Sequence, residues 1–179
     1  CRDANFMTIS SDDTNGRQRL VQWDDPMATA QAAFRMSGLA FLQAMQRREV
    51  PGPPIAHLMG FDIAEVEAGR VVFTTEPAEY HYNPVGAIHG GLGATLLDSA
   101  LACAILTMLP AGVGSTTIEL HINYVRPLSV QTGKIFATGE VIHSGRTIAT
   151  AQGRITDAAG KLYAHATTTC LILRPEGGG

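Results

Sequence analysis

The stretch NPVGAIHGGLGATLLDSALACAILTMLP, Asn83–Pro110, decides how this chain folds. Asn83-Pro84 and Gly86 carry turn chemistry, so the stretch opens as a loop, and its apolar run then predicts a helix from about His89 to Met108. That helix is apolar nearly all round, which is the pattern of a buried element. From Leu92 to Leu109 it is roughly long enough to be weighed as a membrane span. It begins after Gly90-Gly91, ends at Pro110 and contains Asp98, so a core helix is the better reading. Between Glu79 and Glu119 Asp98 is the only formal charge. Burying an ionised carboxylate is costly unless it is paired, hydrogen-bonded or functional, so Asp98 needs a reason to be there.

Working outward, strand-like segments flank the helix. Two precede it, about Ile63–Glu67 and Arg70–Glu76, joined at Ala68-Gly69 as a hairpin. Four follow: Thr116–Arg126, Gly133–His143, Thr147–Thr156 and Leu162–Leu173, with turns at Ser144-Gly145 and Ala158–Gly160. One long buried helix among strands arranged in this way predicts an α+β domain, an antiparallel sheet wrapped around a long central helix.

Further out, Asp25-Pro26 reads as an N-cap followed by a first-position proline. An extra N-terminal helix is expected from there to about Arg48, with Phe34, Phe41, Leu42 and Met45 on its docking face. The VPGPP stretch, Val50–Pro54, then breaks it and reads as a linker. The expected organisation is a flexible tail over 1–25, a helix and Pro/Gly linker over 26–54, the main domain over 55–174 and a short flexible tail over 175–179. Met7 is a candidate natural start, with Cys1–Phe6 an upstream extension.

Composition narrows the class. Of 179 residues 45% are hydrophobic, enough for a sizeable core in one domain. Thirteen basic against sixteen acidic residues give a net charge of −3 without a basic run, which argues against nucleic acid as a partner. Three cysteines, Cys1, Cys103 and Cys170, have no metal-ligand spacing and form no disulfide framework, so no metal is expected and a reducing compartment is. The first 25 residues are polar and lack the apolar centre of a leader, so a cytoplasmic location without membrane attachment is expected.

Three features converge around the helix. Its HGGLG start leaves glycine N–H groups at the positive end of the helix dipole, a ready oxyanion site. Asp98 is the nearby carboxylate. Asn83, His89 and Thr117 sit before, at and after the helix, and each donates or accepts hydrogen bonds. These are the parts of an acyl-transfer site. Gly90 and Asp98 are eight residues apart, about 12 Å along the axis and about 80° around it. Reacting atoms must come within about 3.5 Å. A catalytic reading therefore requires Asp98 and Gly90 from two copies of the chain, a homodimer with two composite sites.

The segments NPVGAIHGGLGATLLDSA (Asn83–Ala100) and TTIELHINYVRPL (Thr116–Leu128), with HSGRTIATAQGRITDAAGKLYAHATTT (His143–Thr169), closely resemble the PaaI-like branch of the hotdog-fold acyl-CoA thioesterases. The resemblance runs over about residues 55–173. It implies a hotdog fold, hydrolysis of an acyl-CoA without a cofactor, and dimers that often pair into tetramers. It also implies Asp98 as nucleophile or general base, the Gly90 N–H on the thioester carbonyl, Asn83 holding water or carbonyl, and Thr117 positioning Asp98 or the water, with Thr116 the near alternative. His89 and Gly91 are expected to position substrate. Coenzyme A needs cations for its phosphates, and Arg146 in the SGRT turn is preferred over Arg126, Lys134 and Lys161. Small residues at Ala87, Gly93 and Ala94 suggest room for an aromatic ring or a longer chain. Two competing functions share this outline: a non-catalytic acyl-CoA binding module, and a hotdog hydratase/dehydratase with a histidine base, for which His89 and Asp98 lie about 13 Å apart along one helix.

Overall fold

The structure is a computed structural model and describes residues 16–175. Cys1, Met7 and most of the two expected tails lie outside them. Three short helices come first: α1 (Pro26–Arg35), α2 (Gly38–Gln46) and α3 (Pro54–Met59). The hairpin β1 (Phe61–Glu67) and β2 (Arg70–Thr75) leads to the long helix α4 (Gly90–Leu106). Four strands follow: β3 (Gly114–Tyr124), β4 (Ile135–Ser144), β5 (Ile148–Asp157) and β6 (Leu162–Leu173).

All six strands form one antiparallel sheet in the order β1-β2-β4-β5-β6-β3, which leaves β3 on an edge. The sheet packs on α4, the arrangement expected of a hotdog fold. Strand alternation turns Val71, Phe73, Ile135, Ala137, Ala149, Ala151, Ile155 and Cys170 toward the helix. They meet Leu92, Leu96, Leu97, Leu101 and Ile105 of α4, each at most 1% exposed. A fully buried leucine contributes about 1.5–3 kcal/mol, so this seam outweighs any local preference of α4. Where helix and sheet come closest the sheet carries Gly139, at which a Cβ would lie 2.3 Å from the Ala100 carbonyl oxygen.

The expected single helix from Pro26 to about Arg48 is two. Asp25 caps α1, its side chain accepting from the Met27 N–H at 2.9 Å. Met36 then adopts extended backbone, and the Ser37 side chain caps α2. The reason is tertiary. Gly38 abuts the last turn of α4, its N–H donating to the Leu109 carbonyl at 3.0 Å, and a Cβ there would lie 1.8 Å from the Leu106 carbonyl oxygen. The break sends the two halves to different places: Phe41, Leu42 and Met45 join the core, while Phe34, expected on the same face, is 69% exposed. Val50 is buried in the same core as α2, and Pro54 opens α3. Residues 16–25 are held at two points, by the Arg17–Glu79 ion pair at 2.7 Å and by Arg19, whose guanidinium donates to the His57 and Leu58 carbonyls.

Candidate active site

Asp98 lies on the third turn of α4, half-buried and facing β3. The Thr117 hydroxyl donates to Asp98 Oδ1 at 2.9 Å, and Oδ2 has no hydrogen-bond partner among the described residues. β3 reaches this arrangement through a bulge. Leu120, Ile122 and Tyr124 pair with Thr168, Ala166 and Ala164 on the helix-facing side, and unbroken alternation would continue through Ile118. The register shifts between Thr117 and Glu119, so Ile118 is an extra residue, and Thr117 pairs with buried Cys170 and turns inward. Of the two threonines weighed from sequence, Thr117 touches Asp98 and Thr116 is exposed.

Two thiols sit close by. Cys170 Sγ is 3.8 Å from Thr117 Oγ1, and burial pushes its thiol up. Cys103 is pushed up to about 12 by burial, helped by the negative charge of Asp98. Both remain protonated near neutral pH and are poor nucleophiles. Among the described residues no three His, Cys, Asp or Glu converge to hold a metal ion, and no helix is long and apolar enough to cross a membrane.

The second half of the constellation is the start of α4. His89 is the N-cap, and its Nδ1 accepts from the Gly91 N–H at 2.8 Å. Gly91, expected to offer its N–H to a ligand, therefore has that donor occupied. That bond commits Nδ1 as an acceptor to the helix's own backbone. The His89 carbonyl accepts from the Leu92 N–H at 3.0 Å, and the His89 N–H donates to the His81 carbonyl at 2.8 Å. The Gly90 N–H has no acceptor among the described residues. It is the open donor at the positive end of α4.

Gly90 borders a cavity of about 370 Å³, walled by Ile88, Gly93, Tyr124, Leu128 and Ile155. Gly93 leaves no extra room there. A Cβ on it would meet Ile155 Cδ1 and the Tyr124 ring at 3.3 Å each, so it serves close helix–strand packing. Tyr124 was not singled out from sequence. Its hydroxyl donates to the Gly90 carbonyl at 2.7 Å, and burial pushes its phenol up. An inward-facing aromatic near the end of a strand is the signal it left, and the bulge at Ile118 obscured which residues face inward.

Asn83 and Arg146 lie apart from these contacts. Asn83 Oδ1 accepts from the Val85 and Ala87 N–H groups at 3.1 and 3.0 Å, an Asx turn that shapes the loop into His89. Arg146 is exposed in the β4–β5 turn, and Ala149 of β5 pairs with Cys170 of β6, the partner of Thr117, so the turn lies at the Asp98–Thr117 end of the sheet. The cation bordering the Gly90 cavity is Arg126, anchored by donation to the Leu162 carbonyl at 2.6 Å.

Within one chain the two groups lie apart. Asp98 with Thr117 lies toward the start of β3, and Gly90 with Tyr124 lies at its end.

Comparison with known proteins adds to this geometry. The family model of the thioesterase superfamily matches residues 85–164. Acyl-coenzyme A thioesterase 13 of Homo sapiens is 32% identical over 102 residues, 56% of this chain and 71% of the human protein. The crystal structure of a phenylacetic acid degradation-related protein from Ralstonia eutropha JMP134 superposes with a TM-score of 0.66 at 29% identity, covering 73% of this chain and 98% of that one. The E. coli PaaI protein superposes with a TM-score of 0.65 at 24% identity, over 77% of this chain and 96% of its own, a likeness of fold.

Proposed function

Because the chain belongs to the thioesterase superfamily, with the PaaI-like hotdog fold, we propose that it hydrolyses an acyl-CoA thioester to the free acid and coenzyme A at a site shared between two copies. The observation that carries this reading is the pair of half-sites: a carboxylate oriented by a threonine, and an unpaired helix-start N–H beside a cavity.

β3 offers the means of joining them. It is an eleven-residue edge strand whose outer side pairs with nothing among the described residues, a natural template for a second strand. Ile118, Tyr124 and Val125 are exposed along or just beyond it. Antiparallel pairing of β3 with its own copy about a two-fold axis between Leu120 and His121 sets Thr117 opposite Tyr124 of the partner subunit. Asp98 then faces the partner subunit's Gly90, and two equivalent sites form.

In such a site the free Asp98 Oδ2 takes a proton from water, and the water oxygen adds to the thioester carbonyl. In the direct alternative the carboxylate itself attacks, the thiolate leaves a mixed anhydride on Asp98, and water hydrolyses that anhydride and supplies the proton for the thiolate. The Gly90 N–H, aided by the helix dipole, receives the oxyanion. Collapse expels the coenzyme A thiolate, which regains the proton. In this reading Asn83, whose side-chain amide nitrogen is uncommitted among the described residues, holds the carbonyl or the water, and Arg126, which borders the cavity, meets a phosphate. The apolar wall with the Tyr124 ring suits an aryl acyl group, and the relative from Ralstonia eutropha is described as related to phenylacetic acid degradation.

The test is release of coenzyme A, followed with a thiol reagent, from phenylacetyl-, hydroxybenzoyl- and straight-chain acyl-CoA. Turnover that collapses in Asp98→Asn, with fold and dimer intact, supports the reading. Binding of every acyl-CoA without turnover by the wild type makes the protein a binding module instead.

A further inference from the structure

The start of α4 consists of two adjacent glycines, the residues with the greatest backbone freedom, and a donor that wanders stabilises an oxyanion poorly. Each peptide group around Gly90 is nonetheless pinned. The His89–Gly90 peptide is held through the His89 carbonyl, which accepts from the Leu92 N–H at 3.0 Å. The Gly90–Gly91 peptide is held at both ends: its N–H donates to His89 Nδ1 at 2.8 Å, and its carbonyl accepts from the Tyr124 hydroxyl at 2.7 Å.

The first two bonds are local to the helix start. The third comes from β3, thirty-four residues away, and ties this turn to the sheet. The Gly90 carbonyl already has an intrahelical donor four residues on, so the Tyr124 hydroxyl is not needed to satisfy it. The ring lies against the glycines, 3.4 Å from where a Gly90 Cβ would stand and 3.3 Å from a Gly93 Cβ.

We propose that Tyr124 is a positioning residue: its hydroxyl and His89 Nδ1 clamp the two ends of the Gly90–Gly91 peptide, so that α4 presents the Gly90 N–H as a fixed donor. The inference rests on the reading of Gly90 as oxyanion donor. Tyr124 does not exchange a proton with the substrate in this role. It restricts the rotation of the backbone on which the donor sits.

The test uses the full chain and Tyr124→Phe, which removes one oxygen and keeps the ring. Two readouts are taken: kcat and KM for the best acyl-CoA of the panel above, and amide exchange of the peptide spanning Ile88–Leu97. The expected result is a kcat lowered about tenfold with KM within about twofold, and faster exchange at Gly91. Tyr124→Leu, which also removes the ring, should raise KM in addition. A wild-type kcat in the Phe variant overturns the proposal, whatever its exchange. A loss confined to KM also overturns it, because Tyr124 then acts as cavity wall alone. Exchange needs no turnover: faster exchange in a chain that hydrolyses no acyl-CoA upholds the clamp and overturns the hydrolase reading, whereas unchanged exchange and kcat in an active enzyme overturn the clamp alone.

Discussion

Thr117 reaches Asp98 because β3 carries one residue too many. The bulge at Ile118 turns the Thr117 hydroxyl inward, 2.9 Å from Asp98 Oδ1, where regular alternation would have put an isoleucine. A hydrogen bond to a charged group contributes about 1.5–3 kcal/mol, about ten- to a hundredfold in rate if it is needed to aim the carboxylate. Thr117→Val should lower kcat by about that factor, and Thr117→Ser should keep most of it. A loss in Thr117→Ser with Thr117→Val near wild type would show that the methyl group and not the hydroxyl matters.

Gly90→Pro separates the oxyanion donor from the helix. Proline suits the first helical position, and His89 already has the ψ of 133° that a residue before proline prefers. The lost N–H has no acceptor to abandon among the described residues. The variant should fold with wild-type stability and turn over at least about a hundredfold more slowly.

Co-expression of Gly90→Pro and Asp98→Asn chains tests the shared site. Half the dimers are then mixed, each with one intact pairing of Asp98 and Gly90, so about a quarter of wild-type activity should return. Activity no higher than in the two parents would place both groups within one chain's site.

Neither Cys103 nor Cys170 should react in the folded protein. With the Cys103 thiol pushed up to about 12, its thiolate fraction at about pH 8 is of order one in ten thousand. In a Cys1→Ser background a thiol reagent should titrate no group natively and two after denaturation. Native labelling at either position would show that these thiols are open to attack.

Stability should fall on the acid side through His81. Its Nε2–H donates to the Met59 carbonyl, and its Nδ1 accepts from the Ala78 N–H, so the ring is held neutral. Burial first, then the charge of Arg19, lowers its folded-state value from the usual 6.5. The unfolded chain therefore binds the proton more readily. The contribution is complete above about pH 6.5 and is lost as pH falls through the lower folded value. Melting temperatures between about pH 5 and 8 should show this slope in the wild type and a flatter one in His81→Gln. Parallel curves would assign the slope to another group.

Much of the fold was legible because it is local. The apolar run of α4 was read as His89–Met108 and spans Gly90–Leu106, and β6 was read to the residue. Strand and helix periods depend on neighbours within a few positions, so the sequence by itself determined an antiparallel sheet around one buried helix. It also singled out Asp98, since a lone carboxylate in an apolar run stands out in any conformation. By arithmetic along one helix it separated Asp98 from Gly90. What only the tertiary structure decided depends on partners far apart in the chain. The break between Phe34 and Phe41 arises because Gly38 meets the end of α4, although the residues alone read as one helix. The choice of Thr117 over Thr116 rests on a register shift against β6, and the hold of Tyr124 on Gly90 joins an edge strand to a helix start. Periodicity says which way a side chain faces only while the strand is regular. One extra residue reverses the facing of those before it, and that reversal is settled by pairing with another strand.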